Sequence, residues 1–224
     1  MENMRVRSGR YAMIVLAVAT ALYSLRYWAV PAHVWLGIDD GIRGVIERVP
    51  LQALAHMLVG PIALLTGPFQ FIPGLRARRP RLHRWTGRVY ASACLVAGVA
   101  ALATAPFASG GPVAGLGFGL LAVCWIIATG MGWRTALTRQ FTRHRVWMRF
   151  SYAMTFGAVT LRLQIPIGFL LGFHSYSEMS VWLAYTSWIP NVVIVALYSL
   201  WRRPRRQIGG DAGYGVAGIG HTIG

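Results

Sequence analysis

The sequence predicts an all-α polytopic membrane protein, a bundle of six transmembrane helices with both termini in the cytoplasm. Three observations predict it. Of the 224 residues, 55% are hydrophobic and only 12% are charged, about half the ~25% of a soluble globular domain. Six apolar stretches each approach the ~20 residues a helix needs to cross a bilayer. The arginines gather on one side of those stretches, as the positive-inside rule requires. The apolar content also excludes a disordered chain.

The six spans fall at about residues 11–30, 51–72, 86–107, 113–134, 147–172 and 180–201. Arg5, Arg7 and Arg10 precede the first, as they would in a signal peptide. No convincing small-residue cleavage site follows, so the stretch reads as an uncleaved helix. Tyr27, Trp28 and Trp35 mark its external end, and Trp85, Trp133, Trp147 and Trp201 mark cytoplasmic ends. Such rings prefer the interface because they are apolar with one polar atom. With the N-terminus inside, 18 arginines fall on cytoplasmic segments and only Arg43 and Arg48 on external ones. An odd number of spans would expel one terminal cluster. Residues 1–206 form the six-helix domain, and residues 207–224 form a tail with seven glycines. The destination is the bacterial cytoplasmic (inner) membrane.

All 22 basic residues are Arg, and the formal charge is +16. They sit in short runs between apolar stretches, the pattern of membrane loops and not of a nucleic-acid-binding face. Cys94 and Cys124 lie inside spans without CxxC spacing, so they read as small buried hydrophobes.

His83-Arg84 is followed by Trp85, Arg88 and Tyr90, and His144-Arg145 by Trp147, Arg149 and Tyr152. The copies are 61 residues apart, and each opens an outward-running helix. They suggest a parallel repeat of two-helix units, with chance similarity in an Arg- and Trp-rich chain as the alternative. In the fifth span, His144, Ser151, Thr155 and Arg162 share a stripe, because 18 residues complete five helical turns. Polar residues inside a membrane face the bundle interior or a cavity. No acid lies inside any span to neutralise Arg162. Its partners would be backbone carbonyls, Gln164, water or an anionic group, unless it snorkels to the interface.

His83, Gly87, Tyr90, Cys94 and Ala101 share one face of the third span, and His56, Gly60, Ala63, Gly67 and Gln70 one face of the second. Small residues there allow close helix approach or leave room for a flat ligand. His83 and His144 start their helices at similar depth. Such a pair can hold a b-type haem axially, with Arg84, Arg88, Arg145 and Arg149 near the propionates. His56 has His174 and His33 as loop partners. The alternatives are interfacial histidines bonded to backbone or lipid, or a metal or proton-transfer site. HExxH, GxSxG and GxxxxGK[ST] are absent, so no catalytic residue and no metal ligand is assigned.

The segments Gly67-Pro68-Phe69-Gln70-Phe71, Arg79 to Tyr90, His144 to Arg149, Ala158 to Leu163 and Trp188-Ile189-Pro190-Asn191 occur in that order. Together they resemble a family of bacterial predicted multi-pass membrane proteins known only as a domain of unknown function. The resemblance covers about residues 50–200. It implies a helical membrane domain and no established activity. Two functions compete. One is an accessory or structural subunit of a larger membrane complex of respiratory or photosynthetic type, without catalysis of its own. The other is a haem-binding or quinone-handling redox protein using His83, His144, His56 and Arg162, with Arg84 and Arg145 as anion partners. The expected partners are the lipid bilayer and other membrane subunits. The tail would grip such a subunit through Ile208, Tyr214, Val216, Ile219 and Ile223.

Overall fold

A computed structural model describes residues 4–24 and 40–201. The chain folds as α1 (Met4–Ser24), α2 (Asp40–Arg48), α3 (Pro50–Thr66), a 3₁₀ turn (Pro68–Phe71), α4 (Pro73–Arg78), α5 (Pro80–Thr104), a second 3₁₀ turn (Ala105–Phe107), α6 (Gly111–Leu137), α7 (Phe141–Thr155), α8 (Gly157–Leu170), α9 (Tyr176–Thr186) and α10 (Ile189–Trp201). Prolines open many of these helices, at the position where a missing N–H costs nothing.

Five helical stretches among the described residues are long and apolar enough to cross a membrane: Pro50–Phe71, Pro80–Phe107, Gly111–Leu137, Phe141–Leu170 and Tyr176–Trp201. They correspond to the second to sixth predicted spans, and the protein is an all-α polytopic membrane protein. α1 covers most of the first predicted span but is not among the five. The arginine clusters lie largely on the helices and not in loops. Arg81, Arg84 and Arg88 belong to α5, and Arg143, Arg145 and Arg149 to α7. Arginine is a good helix former, and its long stem lets the helix run on past the apolar core. Tyr27, Trp28, His33, Trp35 and the tail positions Ile208, Tyr214, Val216, Ile219 and Ile223 lie outside the described residues.

α3 packs along α5, α5 along α6, and α6 along both α7 and α9; α1 packs against α3 and α8. The core is small-residue rich: Ala63, Ala91, Ala93, Cys94, Ala97 and Ala128 surround Tyr90, Trp125 and Tyr152. Many large apolar side chains point outward, including Val99, Leu116, Ile127, Ile194 and Leu197. Lipid can solvate such faces, so helix association in a bilayer rests on close packing and interhelical hydrogen bonds.

Two predicted spans are broken. The fifth turns at Phe156, between α7 and α8, and the sixth at Ser187-Trp188, between α9 and α10. The breaks lie side by side: a Cβ on Gly157 would sit 3.3 Å from the Trp188 Cβ and 3.4 Å from the Ser187 carbonyl oxygen. Asn191 Nδ2 donates to the carbonyls of Ala153 (3.3 Å) and Ser187 (3.1 Å) and to Thr160 Oγ1 (2.9 Å). The Ala153 carbonyl is the acceptor that Gly157 N–H would use in an unbroken helix. Irregular backbone at this depth is tolerated because a side chain from the neighbouring helix satisfies it.

Candidate functional site

The interior polar residues converge where α5, α6 and α7 meet. Tyr90 of α5 reaches across to α7, and its hydroxyl shares hydrogen bonds with Ser151 Oγ (2.8 Å) and Thr155 Oγ1 (3.0 Å). From α6, Trp125 Nε1 donates to Thr155 Oγ1 (3.0 Å), and Thr129 Oγ1 bonds Ser151 Oγ (2.7 Å). Thr155 passes its own proton to the Ser151 carbonyl at 3.0 Å. Cys94 Sγ lies 3.9 Å from Thr155 Oγ1. All of these side chains are buried. In an apolar medium each unmade bond would be costly, so the polar groups are satisfied mutually.

The contacts obey the 61-residue spacing. Tyr90 and Ser151 are 61 residues apart, as are Cys94 and Thr155, and both pairs touch, whereas Trp85 and Trp147, and Tyr90 and Tyr152, are offset by 62. α5 and α7 begin at Pro80 and Phe141, also 61 apart.

At the arginine-rich end lie His83 and His144, also 61 residues apart. His144 Nδ1 donates to the Gly132 carbonyl at 2.8 Å, which leaves Nε2 as the lone-pair nitrogen. His83 Nδ1 is buried and has no hydrogen-bond partner. Arg84 is exposed. Arg145 is exposed too and reaches Thr142 Oγ1 at 3.4 Å.

The other candidate residues are held elsewhere. His56 Nδ1 donates to the Ala97 carbonyl of α5 at 3.0 Å, not to a second histidine. His174 gives its backbone N–H to Glu178 instead. Arg162 donates from Nη1 to the Ala158 carbonyl (3.0 Å) and from Nη2 to Ser24 Oγ (3.1 Å), fastening α8 to α1. Gln164, expected as a partner, bonds Thr186. The stripe from His144 to Arg162 is therefore divided: Ser151 and Thr155 face α5 and α6, whereas Arg162 faces α1. The turn at Phe156 interrupts the regular helix that the 18-residue spacing assumed.

Sequence reasoning missed Trp125, Thr129, Ser24 and Asn191. Trp125 and Thr129 carried a signal, being polar-tipped residues four apart inside an apolar span. Ser24 carried none. The segments behind the resemblance explain one another structurally. Gln70 Nε2 donates to Thr86 Oγ1 at 2.7 Å, and a Cβ on Gly87 would meet Gln70 Oε1 at 3.2 Å. Gly67 lies beneath the rings of Tyr152 and Tyr90.

Residues 53–199 match the family model described as predicted membrane protein (DUF2306). The chain belongs to the DUF2306 family. The match takes in the four qualifying stretches from Pro80 to Trp201 almost entirely and most of α3. No curated protein and no solved structure matches the chain. The DUF2306 description names a membrane protein and no activity, so any role must come from the site.

Proposed function

We propose that this DUF2306 chain is an accessory or structural subunit of a larger complex in a bacterial inner membrane, without catalysis of its own. One observation carries the reading: Tyr90, Trp125, Thr129, Ser151 and Thr155, the buried polar side chains that tie α5, α6 and α7 together, are spent on one another as interhelical links. In this reading α1 is a sixth span and both termini are cytoplasmic, as the arginine distribution requires. The Gly-rich tail then grips a neighbouring subunit through Ile208, Tyr214, Val216, Ile219 and Ile223.

The second reading is a b-type haem or quinone site at the arginine-rich end. It is favoured by the buried, unpartnered Nδ1 of His83 and by His144, whose Nδ1 anchor leaves Nε2 available. Metal-bound histidines commonly have this backbone anchor. Purification in mild detergent separates the two. The subunit reading expects co-purifying membrane proteins that are lost when residues 208–224 are deleted, and a visible spectrum without a Soret band. A lone monomer carrying a Soret band that disappears in His83→Ala would replace it with the haem reading.

A further inference from the structure

We propose that a cavity between the end of α6 and the start of α7 binds the phosphate of an anionic phospholipid headgroup. The cavity has a volume of about 300 Å³, and Arg134, Thr138, Gln140, Arg143 and Trp147 help to line it. That is room for about ten waters at ~30 Å³ each, the scale of a headgroup and not of acyl chains.

Its chemistry is cationic and prearranged. Arg143 Nη1 donates to Gln140 Oε1 at 3.0 Å, and Gln140 Nε2 donates to Thr138 Oγ1 at 3.2 Å. This chain holds one face of the Arg143 guanidinium while its remaining donors stay available. Arg134 donates no hydrogen bond to any described residue, and no Asp or Glu lies between residues 48 and 177 to neutralise either arginine. A guanidinium presents donors in a fork that matches two phosphate oxygens.

The location selects the source of the phosphate. The cavity lies where one membrane-crossing stretch ends at Leu137 and the next begins at Phe141. Leu137 and Phe141 are both exposed, so apolar surface flanks the basic cavity. Trp147, on the wall, has the amphipathic ring that favours the interface. A lipid places its phosphate at this level and its chains along the apolar surface beneath. Basic pockets between transmembrane helices have this relation to anionic lipids.

The test is native mass spectrometry of the delipidated full-length protein with phosphatidylglycerol, phosphatidylcholine or inorganic phosphate added separately. One phosphatidylglycerol should remain bound to the wild type, and phosphatidylcholine should not. Arg134→Gln with Arg143→Gln should weaken phosphatidylglycerol binding by about tenfold or more, given the ~1 kcal/mol each basic residue contributes near an anionic surface. Arg76→Gln with Arg78→Gln, an equal charge loss on α4, should not. If the double variant fails to fold, Arg134→Gln alone carries the test, because its side chain bonds no described residue. Equal retention in both variant pairs, or equal loss, would overturn the site. Displacement of phosphatidylglycerol by millimolar inorganic phosphate would overturn the lipid as its occupant in favour of a free anion.

Discussion

Replacing Gly67 by Ala tests the packing beneath Tyr152. A Cβ at position 67 would lie 2.5 Å from Tyr152 Cδ2 and 3.0 Å from Tyr90 Cε2, whereas carbon atoms prefer about 3.5–4.0 Å. The Tyr152 ring must therefore move by about 1 Å to restore that spacing. It has nowhere to go: Phe71, Phe156 and Tyr90 hold it, with ring centroids at 5.3, 6.2 and 6.3 Å. Gly67 has ordinary helical angles, φ −60° and ψ −50°, so glycine is needed here for space and not for its backbone freedom. Overpacking of this kind costs about 1–3 kcal/mol, and a helical Gly→Ala change returns about 0.5–1 kcal/mol. The net expectation is about 0.5–2 kcal/mol of destabilisation, the difference between those two magnitudes.

Gly60, one face-repeat earlier on α3, has no atom within 4 Å of its added Cβ. Gly60→Ala should stabilise by about 0.5–1 kcal/mol. The assay is SDS titration in mixed micelles, followed by tryptophan fluorescence. Labelling of Cys94 in a Cys124→Ser background gives a second readout, because Cys94 is buried and Cys124 exposed. Combining Gly67→Ala with Tyr152→Leu should recover most of the loss due to the alanine, since the obstructing ring is gone. If Gly67→Ala is neutral, or if its cost persists without the Tyr152 ring, the packing argument is wrong.

Tyr90→Phe removes the hydroxyl that joins Ser151 and Thr155, and should cost about 0.6–1.7 kcal/mol, the range of interhelical hydrogen bonds in membranes; the same titration measures it. Arg162→Gln should release α1 from α8 and raise amide hydrogen exchange across Thr20–Ser24, and Ser24→Ala should do the same, because each removes the Arg162–Ser24 bond. Asn191→Leu strips three bonds from the paired helix breaks and should speed exchange around Gly157 while leaving α5 unchanged. In a Cys124→Ser background a maleimide should leave Cys94 unlabelled in the folded protein and react with it only after unfolding.

The crossing stretches were legible because hydropathy reports length and apolar content directly. Pro50, Pro80 and Pro190 also punctuate the chain at helix starts. The breaks were not legible as breaks. Gly157 lies in an otherwise helix-compatible apolar run, and the carbonyl that the break frees is taken by Asn191 from another element. Arg162 was singled out as a charge needing partners, and it bonds the Ala158 carbonyl and Ser24. Which partner it takes depends on α1 passing close by, and Ser24 is 138 residues away in the chain. The histidines show the same limit: their types and depths are in the sequence, but the Gly132 and Ala97 carbonyls that hold His144 and His56 follow only from how the helices cross.

The meeting of Tyr90 with Ser151 has a consequence for which side chains the two helices can carry there. Two tyrosines would collide at that point, and two serines would leave a hole. The chain divides the space unequally, α5 giving the large ring and α7 the small hydroxyl. Exchange is then permitted where imitation is not. Tyr90→Ser should damage the fold by leaving a cavity and Ser151→Tyr by overfilling the core. The two together should lose less than the sum of the separate losses, because the total volume across the contact is kept.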